Sequence, residues 1–337
     1  MRALSTAGAL GGWLGRLDDL RINPVPPLLE ANDPALTWAV RHDILGEPLD
    51  PRVLWDLPEP AAAVGLQTLD GGWRYPGGRT ALRAQEDYDQ LETFKQLLRL
   101  TSVYRWHRRY APCAAAAEFL LDHQTAEGDI RGVYGLQYST TYTALILAAL
   151  IDAGYVADRR VTAGLDWLLS MQQDDGGWVV PLRTMRGATG RAYERAMRLE
   201  APVQPDRRRR SSHLVTGVVV RALSAHPRYQ RQEQTRRGIE LLISRFFHRD
   251  PYPDRADGSY WTKLVFPFRW TDIVSSLDAI GRCGLDGSDP RVERAIAWLV
   301  DAQGADGLWR SGYPKTRDPL VHHWVTFAAA RALLRLG

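Results

Sequence analysis

The chain of 337 residues is 45% hydrophobic, 24% charged and 9% aromatic, which excludes disordered and collagenous classes, and its longest apolar run, Ala144 to Ile151, falls well short of the ~20 residues that span a bilayer. The net charge is +4, but nine arginines against three acids between Arg183 and Arg210 more than account for it, so a basic face for nucleic acid over the rest of the chain is excluded. Cys113 and Cys283 have no metal-ligand spacing, so neither a disulfide framework nor a cysteine-type zinc site is expected, and a reducing, cytoplasmic setting fits.

In chain order, residues of about 4 to 19 read as a helix rather than a signal peptide, because no cleavage site precedes the charged Arg16, Asp18 and Asp19. A buried helix is expected from Asp33, then an amphipathic one over about 51 to 66, closed by Gln67 and the turn Asp70, Gly71, Gly72, Trp73. The next buried helix is placed at Asp89 to Thr93, and the next amphipathic one at 111 to 124, closed by Gln124, Gly128 and Ile130. Ser139 to Thr143 opens a helix whose continuation, Ala144 to Leu150, is wholly apolar; an amphipathic stretch at 159 to 172 then leads to Gln172, Gly176 and Trp178.

Residues 182–211 form an Arg-rich insertion with an amphipathic stretch, Arg191 to Leu199, and the run Arg207 to Arg210. Three readings stay open for it: a lid, a peripheral contact with a membrane surface or anionic ligand, or a solvated insertion. Beyond it come a buried helix from Ser212, an amphipathic one at 230 to 247, an incomplete turn at Asp257 to Tyr260, a buried helix from Arg269, an amphipathic one at 289 to 303 closed by Gln303, Gly307 and Trp309, and a buried helix from His322.

Four turns thus share one wording, with Gln six residues before a large apolar anchor and Gly two before it. The physics of that wording is a helix ending at the Gln, a glycine turn, and a ring folded back over the helix end, with the Gln amide capping backbone groups or stacking on the ring. Five of the six buried helices carry Thr at the fifth place of their register: Thr37, Thr93, Thr143, Thr216 and Thr326. Six buried helices alternating with six more polar ones predict an all-α (α/α)6 toroid, in one domain over 1–337.

The repeat of helix, Q-x3-G-x-W turn and second helix resembles the QW motif of the squalene-hopene and oxidosqualene cyclase family and, more distantly, the protein prenyltransferase β-subunits, over essentially the whole chain. The cyclase resemblance implies an acidic DxDDTA segment at an inner-helix start that protonates a carbon–carbon double bond; here that segment matches Arg269, Trp270, Thr271 and Asp272, with Thr271 in the proton donor's place. Asp87 and Asp89 offer a DxD out of register with the helix pattern. The prenyltransferase resemblance matches His322 to a zinc ligand within Lys315 to His322, but the Asp-x-Cys pair is absent, so no metal and no cofactor is expected.

In such a fold the inner-helix N-termini converge with their unpaired N–H groups, so the site is expected among residues near them. Catalytic candidates are Asp272, His213, His322 and His323. Substrate-binding candidates are Asp89, Glu92, Tyr138, Thr141, Tyr142, Trp261, Phe266, Phe268, Arg269, Trp270 and Trp324. Plainer roles compete: Asp33, Ser139 and Ser212 suit N-caps, Asp272 suits backbone capping or pairing with Arg269, and His322 and His323 point ~100° apart on one helix. The function implied is a terpenoid-cyclase-like protein binding an isoprenoid or other elongated apolar molecule, with acid–base chemistry. Alternatives are a carbohydrate-active lyase or hydrolase using Tyr142, His213, Arg269 and His323, or a non-catalytic binding scaffold.

Overall fold

The computed structural model describes residues 17, 20–77, 87–187, 190–285, 287–313 and 318–337. The expected N-terminal helix, apart from Leu17, and Lys315 to Arg317 of the segment preceding His322 lie outside the described residues. The described residues are all-α, with no strand and only isolated bridges such as Gln124 with Ile130. They form two compact units, one built from residues up to Asp50, Ile243–Arg249 and Asp257–Gly337, the other from Pro51–Leu242 and Asp250–Ala256.

In the first unit α1 (Val25–Glu30) leads to α2 (Pro34–Ala39), which runs on into a wider turn at Val40–Ile44. In the second unit lie α3 (Pro58–Gly65), α4 (Tyr88–Tyr104), α5 (Ala111–Leu121), α6 (Thr140–Leu150), α7 (Arg159–Ser170), α8 (Gly190–Ala196), α9 (His213–Ser224) and α10 (Glu233–Ser244), the last ending at the boundary. The first unit resumes with α11 (Ile273–Arg282), α12 (Pro290–Asp301) and α13 (Val321–Leu336). Several boundaries differ from expectation, among them that of the helix expected from Arg269, which begins at Ile273. The segment at 51 to 66 is a short 3-10 turn, Pro51–Leu54, followed by α3, because Pro58 restarts the helix. The helix expected at Asp89 begins one residue earlier, with Asp87 as its N-cap.

The alternation of buried and half-buried helices that an α/α toroid requires is present in both units. Helix α13 packs on α11 and α2 in the first, while α6 packs on α9, α4 and α7 in the second. Every residue of α9 is buried, and in α6 all but Tyr142 are. In contrast α7 buries only Val161, Gly164, Leu165, Trp167 and Leu168, and α12 only Val292, Ala295 and Leu299, one stripe each. Five buried helices begin with a side-chain cap: Asp33, Asp87, Ser139, Ser212 and Asp272 accept the backbone N–H of Leu36, Gln90, Tyr142, Val215 and Ser275.

The repeated turn is one hydrogen-bonding device used four times. The Gln amide caps backbone groups: its Nε2 donates to the turn glycine's carbonyl and to a carbonyl at or near the start of another helix. Gln67 joins Gly71 to Pro112, Gln124 joins Gly128 to Arg160, Gln172 joins Gly176 to Gln234, and Gln303 joins Gly307 to Ile22, all at 2.7–3.0 Å. The indole Nε1 of Trp73, Trp178 and Trp309 donates to the carbonyl ten residues earlier, of Ala63, Leu168 and Leu299. The anchor's own backbone N–H is accepted by the helix threonine: Trp73 by Thr93, Ile130 by Thr143, Trp178 by Thr216 and Trp309 by Thr326, at 2.8–3.0 Å. Glycine is required in the turn. At Gly128 φ is +103°, and a Cβ would lie 2.6 Å from the Ala163 carbonyl oxygen.

Candidate functional site

In the second unit, the acids of the DxD pair are occupied by structure. The Asp87 carboxylate caps α4 and meets His123 Nε2 at 2.9 Å, while His123 Nδ1 lies 2.9 Å from the Phe119 carbonyl. Burial alone would lower the His123 pKa, but the bonds to Asp87 and Phe119 outweigh it and hold it above its ordinary value; the bond to His123 holds Asp87 below the usual carboxylate range against burial. Asp89 accepts from Arg74 and from the Tyr75 backbone. Glu92 accepts from Lys95 and Gln96 on its own helix.

Tyr142 is brought against Phe94 and Tyr134, with ring centroids 6.3 and 5.4 Å apart. Burial pushes the Tyr134 phenol well up. Tyr138 turns to a separate set: its hydroxyl donates to Glu127 and accepts from Gln204, and its ring takes the Arg131 guanidinium at 4.9 Å. Thr141 is buried. His213 is also buried, its Nδ1 3.5 Å from Asp250 Oδ2; Asp250 in turn accepts from the Ser212 hydroxyl and the backbone of Leu214 and Tyr252.

The 182–211 insertion is fastened to this unit by buried amides. Gln137 donates to the Leu199 and Ala201 carbonyls and accepts from Val203 N–H, and Gln173 donates to Asp206 and Arg209 carbonyls. Arg207 reaches the Ser170 and Gln172 carbonyls at the end of α7, where a cation opposes the helix dipole favourably. Arg183 lies over Tyr193 of α8, 4.2 Å from its centroid, and pairs with Asp254.

In the first unit, Asp272 is 1% exposed, and its two oxygens accept separate backbone N–H groups, of Ser275 at 2.7 Å and Val265 at 3.0 Å, completing a capping box with Ser275. His322 Nδ1 accepts the Ser311 N–H at 3.0 Å. The Nδ1 atom of His323 is buried with no hydrogen-bond partner among the described residues, and burial, followed by its neighbour His322, lowers its pKa. Trp261 packs edge-on to Phe246 and donates to the His248 carbonyl. Arg269 and Trp270 are half-buried in the strand-free approach to α11.

Three of the expected rings do meet. Phe266 stacks face to face on Trp324 at 5.6 Å and 11°, and Phe268 meets Phe266 edge-on at 5.5 Å. Phe327, which the sequence reading left in the helix interior, stands edge-on to both Phe266 and Trp324. The guanidinium of Arg331 lies 5.2 Å from the Phe327 centroid and 5.9 Å from that of Phe266. Arg331, Asp278 and Asp250 were all missed. The signal was there for the first two: each is a lone charge inside an otherwise uncharged run of a buried helix. Asp250 lies in a loop and carried no such signal.

Among the described residues no group of three or more His, Cys, Asp or Glu could hold a metal ion, and no helix is long and apolar enough to cross a membrane. No protein-family model matches the chain, and no curated protein matches it. Among solved structures the chain is similar to a substituted form of the type II terpene cyclase MstE from Scytonema in complex with geranylgeranyl dihydroxybenzoate, at 12% identity and a TM-score of 0.47 over 98% of this chain and 99% of that one. A second, ligand-free form of the same cyclase matches at 13% identity and 0.45 over the same shares. A protein from Actinoplanes matches at 15% identity and 0.42, again over 98% and 99%.

Proposed function

We propose that the protein binds an isoprenoid or other elongated apolar small molecule, and that the rings of Phe266, Phe268 and Trp324, backed by the buried Phe327, form part of its binding site. The observation that carries this reading is their convergence: a loop and a buried helix place two stacked and two edge-on rings together, with centroids 5.5–5.9 Å apart. A cluster of this kind supplies apolar packing for a polyene and π faces for any positive charge developing beside it. The QW-type turns support the same reading through the family they resemble.

In the second unit, and apart from those rings, His213 facing the buried Asp250 is the candidate acid–base group. Asp272 acts as a helix cap, both its oxygens accepting backbone N–H groups. The test is native mass spectrometry of the purified protein with identification of any co-purifying small molecule, followed by Trp324→Ala and Phe266→Ala. The expected result is an apolar isoprenoid-like species whose retention drops in both variants. Stabilisation by acidic oligosaccharides and by no isoprenoid of a panel would reject the reading.

A further inference from the structure

Most arginines of the 182–211 segment have no acidic partner within the second unit. Nine arginines stand against three acids there, while the chain as a whole carries only +4. Arg183 pairs with Asp254 and Arg209 with Asp206, and Arg207 is engaged by the carbonyls at the end of α7. Arg186, Arg191, Arg195, Arg198, Arg208 and Arg210 are exposed, and their guanidinium groups make no ion pair among the described residues. The exposed Glu194 and Glu200 are the remaining acids of the segment, so it presents positive charge in excess.

That charge is held in place rather than carried on loose chain. Gln137 and Gln173, 1% and 2% exposed, donate to four carbonyls of the segment; the buried Thr184 hydroxyl accepts the Asp206 N–H, and the Tyr252 hydroxyl donates to the Arg210 carbonyl. Fastening of this kind keeps like charges from spreading apart and so raises the local potential. Apolar side chains stand among the arginines: Leu136, Met185 and Leu199 are 40%, 36% and 46% exposed. Gln137, next to Leu136, bonds the Leu199 carbonyl, and Met185 follows the Thr184 that holds Asp206, so all three lie beside the arginine-bearing backbone.

We propose that the 182–211 segment, with Leu136 beside it, is the surface by which the protein docks on an anionic lipid membrane. The headgroup layer supplies negative charge to the unpaired guanidinium groups, and the acyl boundary beneath it takes the apolar side chains of Leu136, Met185 and Leu199. Single-stranded nucleic acid stacks its bases on aromatic platforms, whereas the one aromatic residue of the segment, Tyr193, is covered by Arg183 at 4.2 Å. Interfaces between proteins are likewise enriched in aromatic side chains, and none of the three exposed apolar ones here is aromatic. The docking surface lies wholly in the second unit and does not depend on the ring cluster of the first.

The test is co-sedimentation of the whole protein with vesicles of phosphatidylcholine alone and of phosphatidylcholine mixed equally with phosphatidylglycerol. The anionic vesicles should bind at least ~100-fold more tightly, and that binding should be lost at about 1 M salt, where charges are screened beyond ~3 Å. Arg208→Gln combined with Arg210→Gln should weaken it by roughly 30-fold, about 5-fold for each arginine near a membrane surface. The melting temperature should not move, because neither side chain has an ion pair to lose among the described residues. Leu199→Ser, which leaves the charge alone, should weaken binding by roughly 5-fold. Equal binding to neutral and anionic vesicles, or binding to neither, would overturn the docking surface. So would a Leu199→Ser variant that binds as well as the unaltered protein. Tighter binding to polyuridylate or to polyglutamate than to the anionic vesicles would also overturn it, in favour of a nucleic-acid or an acidic-protein face. The comparison of vesicles on the unaltered protein decides the matter even if a variant does not fold.

Discussion

Replacing Thr216 by Val keeps the shape of the side chain and removes the oxygen that accepts the Trp178 N–H at 2.9 Å. Both residues are fully buried, so no water replaces the lost acceptor. An unsatisfied buried N–H costs about 1–3 kcal/mol, and the added apolar carbon returns about 0.8 kcal/mol, so the variant should be less stable by up to about 2 kcal/mol although it is more hydrophobic. Urea unfolding followed by circular dichroism reads this as a lower midpoint at unchanged slope, and exchange of the Trp178 amide should quicken by up to roughly 30-fold. Thr216→Ser keeps the bond and should leave that amide protected. A Val variant as stable as the unaltered protein would refute the reasoning. The same substitution at Thr93, Thr143 and Thr326, each equally buried and each accepting one anchor N–H, repeats the test.

The His123–Asp87 pair should make stability depend on pH. His123 is held above its ordinary 6.5, so its contribution is full below that value and fades as pH rises through the folded value. Asp87 is held below its ordinary 3.8, so its contribution is present above 3.8 and fades as pH falls through the folded value. The melting temperature of His123→Ala should therefore fall furthest below that of the unaltered protein between pH 3.8 and 6.5, and the gap should narrow as pH rises above 6.5 through the folded value; a gap independent of pH would exclude the pair. Asp272→Ala should cost about 1–2 kcal/mol through the lost cap, and Asp272→Asn, which keeps one oxygen for Ser275, should cost less. Thermal unfolding of the two side by side checks this, with no loss in the Ala variant as the contrary result.

Period and punctuation were legible because they are local. The Gln–Gly–Trp spacing and the threonine at a fixed place in the next helix are both visible in the residues, and the structure joins them through Trp178 and Thr216. What spacing does not carry is which partner a polar group chooses. Asp89 was expected at the site, yet its oxygens go to Arg74 and the Tyr75 backbone, a segment 14 and 15 residues away. His322 looked available and instead receives the Ser311 N–H. The same blindness hid Arg331: a charge in an apolar helix announces that it must be paired, but Asp278, 53 residues earlier, can be named only once the two helices are seen to pack.

The bridge from Gln303 to Ile22 spans 281 residues, whereas the equivalent bridges from Gln67, Gln124 and Gln172 reach 36 to 62 residues. Closing so long a loop delays the bond it secures. During synthesis, residues 51–242 are available to fold while the C-terminal half of the first unit is still unmade. The segment around Ile22 must then wait for Gln303 to emerge. Until it does, the apolar faces of α1 and α2 lack the company of α13.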